Sequence, residues 1–294
     1  MSLPEPRLVP LGGIPYQLSV LASRSMQTGI PHSGSGYEMT SFSAHLSMLF
    51  RELPYLDRPE AAHAIGFLAV ETWWPSEFGT QWAAEVQRLG LHVALLNCYG
   101  GDIEAGERGF LNLPERRERT VRDLQAAVEL ARTVGASRIN MLAGLLRPGV
   151  RRHRQLAEAV STLRECSSVA AAAGVRIVVE PINRFDIPRY LVPTAPEVAD
   201  LIEAVGSSSV RMLYDTYHAA RSGADPLKEA PTYIEVIDHI HYADYPGRGA
   251  PGTGRVDLLG LLDVLDSAGY SGIVGLEYDP GGPTAPTLAF LRSR

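Results

Sequence analysis

Four strand-like apolar runs in the second half of the chain, IVVE, RMLYD, DHIH and VGLE, each close on a residue able to bind a metal: Glu180, Asp215, His241 and Glu277. The four lie 35, 26 and 36 residues apart, and each interval suits one strand, one helix and two loops, so they recur at equivalent points of successive β/α units. In a closed barrel of parallel strands those points converge at the C-terminal mouth. Three carboxylates and an imidazole brought together there repel one another unless a divalent cation holds them. The spacing therefore predicts an α/β chain folded as a (β/α)8 TIM barrel with Glu180, Asp215, His241 and Glu277 as metal ligands.

The rest of the chain has the alternation this requires. Strands are expected near 42–48, 66–71, 91–97, 138–143, 175–180, 210–215, 236–242 and 272–277. Helices are expected near 77–89, 117–134, 153–173, 195–205 and 257–268, with shorter pieces near 58–64, 226–233 and 284–292. Gly90, Gly135, Gly174 and Gly269 follow helix-like segments and suit the left-handed conformation that ends a helix. A doubly wound open sheet would gather ligands at one crevice and does not account for metal-binding residues on four consecutive strand ends. Residues 1–40, which include PHSGSGYEMT, show no sustained period and read as an N-terminal extension, leaving 41–294 as the catalytic barrel.

Composition narrows the function. A net charge of −6 argues against a nucleic-acid partner. No run of apolar residues is long enough to span a membrane, and the N-terminus lacks a secretory pattern, so a soluble cytoplasmic protein is expected. Cys98 and Cys166 have neither disulfide nor metal-knuckle spacing and read as core residues. Glu71 ends the second strand just before Trp73 and Trp74 and joins the candidate substrate-binding residues, its alternatives being to orient a ligand or hold the loop. The two tryptophans suit an apolar wall over the site. His239, two positions from His241, points to the same side of its strand and reads as a hydrogen-bonded barrel histidine. The GxxGxG at 249–254 does not open a helix directly after a strand, so it reads as a flexible active-site loop and not as a phosphate cradle. RRHR at 151–154 reads as the solvated start of a helix.

The segments EPINRFDIPRY (180–190), LYDTYH (213–218), HIHYADYPGR (239–248) with GAPGTG, and GYSGIVGLEYDP (269–280) together resemble the hydroxypyruvate isomerases. That family sits among the xylose-isomerase-like TIM barrels, which also include ketose 3-epimerases. SAHLSMLFRELPYLDRPEAAHAIGFLAVE (43–71) and GERGFLNLP (106–114) carry the same likeness, so it runs through roughly residues 42–292. It implies metal ligation by Glu180, Asp215, His241 and Glu277, proton transfer by Glu180 and Glu277 on opposite faces of the substrate, and substrate contacts from His218 and Arg248. The implied activity interconverts hydroxypyruvate and 2-hydroxy-3-oxopropanoate through an enediolate, with the metal stabilising the developing charge. An arginine suits the substrate carboxylate because its planar fork binds bidentately.

Two departures keep other substrates open. His241 and NRFD at 183–186 lean towards the ketose 3-epimerases, where the hydroxypyruvate group usually carries Gln at the first of these positions. PGR with PGTG leans back towards the hydroxypyruvate group, although Arg255 stands where that group usually has Glu. Isomerases of four-carbon 2-oxo acids could use the same arginine. An abasic-site endonuclease and a non-catalytic sugar-acid binding protein are the readings from other classes; the first would need more histidines and a basic groove. The ligand set favours Mn²⁺ or Mg²⁺ and permits Co²⁺ or Zn²⁺. The expected partner is a small oxo acid or sugar, and a homo-oligomer is allowed.

Overall fold

The computed structural model describes residues 42–292; the N-terminal extension expected over residues 1–40 lies outside the described residues. Eight parallel strands close into a barrel in sequence order: β1 Phe42–His45, β2 Ala69–Thr72, β3 His92–Asn97, β4 Arg138–Asn140, β5 Arg176–Val179, β6 Val210–Asp215, β7 Ile237–Tyr242 and β8 Val274–Leu276. Around it run α1 Arg58–Ile65, α2 Gly79–Arg88, α3 Arg117–Val134, α4 Arg152–Ala172, α5 Ala195–Val205, α6 Thr216–Arg221, α7 Pro226–Thr232, α8 Leu258–Ser267 and α9 Thr284–Thr287. All eight expected strands are present; β1 and β4 stop short of their apolar runs at the mouth end, and β2 and β8 begin later than theirs. Gly90, Gly135, Gly174 and Gly269 all take positive φ beyond helix ends. Helix α6 was not anticipated: at six residues it is too short to show a helical period. No helix among the described residues is long and apolar enough to cross a membrane.

Strand alternation divides the side chains into two layers. Outward positions such as Ala44, Val70, Leu96, Ile139, Val179, Met212, Ile240 and Leu276 are fully buried against the helices and form one continuous core with them. Inward positions differ. Leu95, Val178 and Leu213 make a small separate apolar cluster on one side of the lumen, while Ser43, Glu71, His239 and His241 fill the other side with buried polar groups. Gly275 of β8 makes room for them, since a Cβ there would come within 2.5 Å of Glu71 Oε1 and 2.7 Å of His241 Cδ2.

Candidate metal centre and active site

The strands deliver the four predicted ligands to one point. Asp215 and His241 are register partners across β6 and β7, and Glu180 and Glu277 each follow the last residue of their strand, β5 and β8. Ligand atoms of Glu180, Asp215, His241 and Glu277 all lie within 4.8 Å of one another, and all four residues are buried. Asp215 caps α6, its Oδ1 accepting from the backbone N–H of His218 at 2.8 Å; its Oδ2 is buried without a hydrogen bond. His241 Nδ1 is buried without an aligned hydrogen bond and lies 3.1 Å from Glu277 Oε2. A cation would engage both orphaned atoms, so the set fits a divalent metal bound through three carboxylates and one imidazole.

Electrostatics lead to the same conclusion. Burial, reinforced by the negative charges of Glu277 and Asp215, pushes the Glu180 carboxyl up to about 8. Burial opposes ionisation of Glu277 as well, but Arg248, His241 and His45 hold it well below the usual carboxylate range. For His241, burial favours the neutral ring, yet the carboxylates of Glu277 and Glu71 on either side raise it well above the ordinary value. A cation at Nδ1 would take the place of that extra proton.

Glu71, expected among the substrate contacts, is placed beneath the site. It is 0% exposed and is not among the residues lining the cavity. His241 Nε2 lies 2.7 Å from one carboxylate oxygen, His239 Nε2 2.9 Å from the other, and Ser43 Oγ donates to the latter as well. Holding Nε2–H in this way turns His241 Nδ1 towards the cluster, the arrangement that orients metal-binding histidines. The carboxylate of Glu71 is held well below its usual range: burial works against this, but the two imidazoles prevail. His239 is the hydrogen-bonded barrel histidine its alternation suggested.

A cavity of about 590 Å³ opens over the cluster, lined among others by Glu180, Glu277, His218, Arg248, Trp73 and Trp74. Arg248 donates to Glu277 Oε2 at 2.8 Å, reaches within 3.8 Å of Asp215 Oδ2 and lies over the Tyr217 ring at 5.5 Å. Its loop carries several hydrogen bonds: Asp244 accepts from the backbone of Gly254 at 2.7 Å and of Val256 at 2.9 Å, and Asp279 N–H donates to Arg248 O at 2.8 Å. The glycine-rich segment thus gives amides to an internal carboxylate, which accounts for its composition without a phosphate. A Cβ on Gly254 would fall 2.1 Å from Tyr245 O. Trp73 serves as wall and also donates from Nε1 to Glu277 Oε1 at 3.1 Å. Cys98 and Cys166 are both buried and free, and Arg152 at the start of α4 pairs with Glu197 at 2.8 Å.

Three contributors were not anticipated. His45, at the end of β1, is fully buried, lies 3.5 Å from Glu277 Oε1, and is depressed to about 4, chiefly by burial. Asn140, which ends β4, donates to Glu180 Oε2 at 3.2 Å. Asn183, visible in the sequence only as part of NRFD, touches His218 at 2.7 Å. The strand-end pattern that singled out Glu71 and the four candidate ligands did not reach His45 and Asn140, because the apolar runs 42–48 and 138–143 continue past the points where β1 and β4 end.

Residues 59–294 match the family described as Xylose isomerase-like TIM barrel. The chain is 37% identical over 271 residues to a putative hydroxypyruvate isomerase of Streptomyces coelicolor, covering 87% of this chain and 97% of that one. It is 35% identical to a 2-oxo-tetronate isomerase of Cupriavidus necator and 34% identical to the hydroxypyruvate isomerase of Escherichia coli, covering 86% of this chain and 98% of the relative in both cases. Among solved structures, an AP endonuclease, family 2, from Brucella melitensis superposes with a TM-score of 0.83 at 29% identity, over 86% of this chain and 98% of that one. Sequence and structure agree over the whole barrel: the chain belongs to the xylose isomerase-like TIM barrel family.

Proposed function

We propose that the protein is a metal-dependent isomerase interconverting hydroxypyruvate and 2-hydroxy-3-oxopropanoate. The reaction moves one proton from C3 to C2 of the substrate through an enediolate, with the hydroxyl proton passing between the two oxygens, so no external oxidant or reductant is needed. Glu180, Asp215, His241 and Glu277 would hold the cation, which supplies electrostatic stabilisation of the charge that develops on the substrate oxygens. One of the two cavity-facing glutamates, ionised, takes the proton from C3, and either that same carboxyl or the other, protonated from solvent, delivers a proton to C2, solvent exchange restoring the starting state. With no cation bound, burial and the charges of Glu277 and Asp215 push Glu180 up to about 8, and a cation held by the four residues would favour its ionised form; Glu277, held low by Arg248 and its histidines against the effect of burial, is the stronger candidate for the base that takes the first proton. Trp73 and Trp74 give the cavity around this exchange an apolar wall.

The observation that carries the reading is Arg248, a guanidinium standing in the same cavity as the acidic cluster and 2.8 Å from Glu277. A small oxo acid brings a carboxylate that such a group binds with two parallel hydrogen bonds. The names of three relatives at 34–37% identity point to the same substrate type. A four-carbon 2-oxo acid is the second reading, favoured by the 2-oxo-tetronate isomerase among those relatives and by a cavity of about 590 Å³, roomy for a three-carbon acid.

The test is a turnover screen of hydroxypyruvate, four-carbon 2-oxo acids and neutral ketoses with wild type and Arg248→Ala. Oxo acids are expected to be preferred, and the arginine variant is expected to lose roughly 10- to 100-fold in kcat/KM on them. Efficient turnover of a neutral ketose with the oxo acids ignored would replace this reading with an epimerase.

A further inference from the structure

Asn183 and His218 form a buried pair beside the acidic cluster. Asn183 lies in the loop after β5, and its Oδ1 accepts from the backbone N–H groups of Phe185 and Asp186, each at 2.9 Å. Those two donors settle which end of the amide is oxygen. The amide nitrogen then faces the other way, donating to Asp186 Oδ2 at 2.9 Å and lying 2.7 Å from His218 Nδ1. Asp186 is itself fixed, accepting from Tyr217 Oη at 2.7 Å and lying 3.4 Å from Arg221 Nε. The His218 backbone is anchored independently by Asp215.

An amide NH2 group offers only protons, so its contact requires a lone pair on His218 Nδ1. A neutral imidazole with that lone pair carries its proton on Nε2. Nε2 is the nitrogen on the Glu180 side, 3.7 Å from Glu180 Oε1, and His218 lines the cavity. We infer that Asn183 is a positioning residue that locks His218 in its Nε2–H tautomer, so that the ring offers a hydrogen-bond donor to a substrate oxygen beside Glu180 and cannot act there as a base. The substrate-facing half of this inference rests on the proposed isomerase reaction; the tautomer does not.

The experiment is ¹⁵N NMR of histidine side chains in the full-length protein, labelled at histidine and held in Mg²⁺ without substrate. The chain has eight histidines, and the His218 resonances are identified by their loss in His218→Gln. Wild type is expected to show an unprotonated Nδ1 and a protonated Nε2. Asn183→Asp keeps an oxygen for the two backbone donors but replaces the NH2 by an acceptor, so the proton should move to Nδ1. Asn183→Ala, which has neither group, should give averaged resonances. Kinetically, Asn183→Asp is expected to lower kcat by about tenfold with KM little changed. A protonated Nδ1 in wild type, or the wild-type tautomer persisting in either variant, would overturn the inference; the wild-type spectrum decides even if a variant does not fold. A purely bracing role would lower thermal stability and leave the tautomer where it was. Absence of oxo-acid turnover with the tautomer as expected would instead count against the proposed reaction.

Discussion

The two faces of the barrel strands obey opposite rules. Facing the helices, Val70, Leu96, Ile139, Val179 and Ile240 merge into one dry core, where each fully buried aliphatic side chain stabilises the fold by about 1.5–3 kcal/mol. Facing the lumen, the strands place Ser43, Glu71, His239, His241 and Asp215, all buried and polar, opposite a small apolar cluster of Leu95, Val178 and Leu213. Buried charge is tolerated only where partners or a metal compensate it, and the lumen meets that condition through the Glu71 pairs below and the candidate cation site above. Stability is thus concentrated in the outer layer and chemistry in the inner one, although the two are separated by a single residue along each strand.

The contrast breaks most completely if the cation is removed. Stripping with a chelator is expected to abolish turnover, with Mn²⁺ or Mg²⁺ restoring it and raising the thermal midpoint, by about 2.7 kcal/mol of stabilisation at a metal concentration 100 times its Kd. Full activity in protein shown by elemental analysis to be metal-free would sink the assignment. Next come Glu180→Gln and Glu277→Gln, each expected to lower kcat by a factor on the order of 10² to 10⁴ with the circular dichroism spectrum unchanged. Near-normal exchange of the substrate's carbon-bound hydrogen with solvent deuterium would remove that residue from proton transfer.

The outer layer should respond in the reverse manner. Leu124→Ala, which truncates a fully buried side chain of α3, is expected to cost about 2–5 kcal/mol in denaturant unfolding while kcat/KM stays within twofold of wild type. The smallest change sharpens the comparison. Gly275→Ala adds one methyl group where Glu71 and His241 already occupy the space, and overpacking of this kind costs about 1–3 kcal/mol. Because that methyl displaces the carboxylate orienting His241, metal affinity measured by titration calorimetry should fall in this variant and not in Leu124→Ala; unchanged affinity would show that Glu71 does not orient the ligand.

Much of this was legible in the chain because both the barrel and the ligand set are periodic. Strand ends recur at nearly constant intervals, and a carboxylate or imidazole closing an apolar run is visible without coordinates. Glu180, Asp215, His241 and Glu277 were singled out that way, and His218 and Arg248 by resemblance; the structure brings the ligand atoms of the first four within 4.8 Å of one another and sets the other two beside them in the cavity lining. For Glu71 the sequence left three readings open, a substrate contact, a group orienting a ligand or a loop anchor, and did not choose among them. A glutamate ending a strand looks the same whether it faces a substrate or lies under the site, and its placement depends on which neighbours enter the lumen across β1, β7 and β8. The loop expected at 249–254 is hydrogen-bonded in a way the sequence did not show: the Asp244 carboxylate accepts from Gly254 N–H and, just beyond the segment, from Val256 N–H.

The sequence by itself determined the barrel, the order of its elements and which strand ends carry side chains of the kind that can bind a metal, because those follow from local periodicity and steric rules acting within a few residues. Only the tertiary structure decided how each buried polar atom is partnered: Glu71 beneath His241, Arg248 against Glu277, Asn183 against His218. The physical reason is that a hydrogen bond depends on a few tenths of an ångström and on direction, and in these three pairs the partners stand 170, 29 and 35 residues apart in the chain.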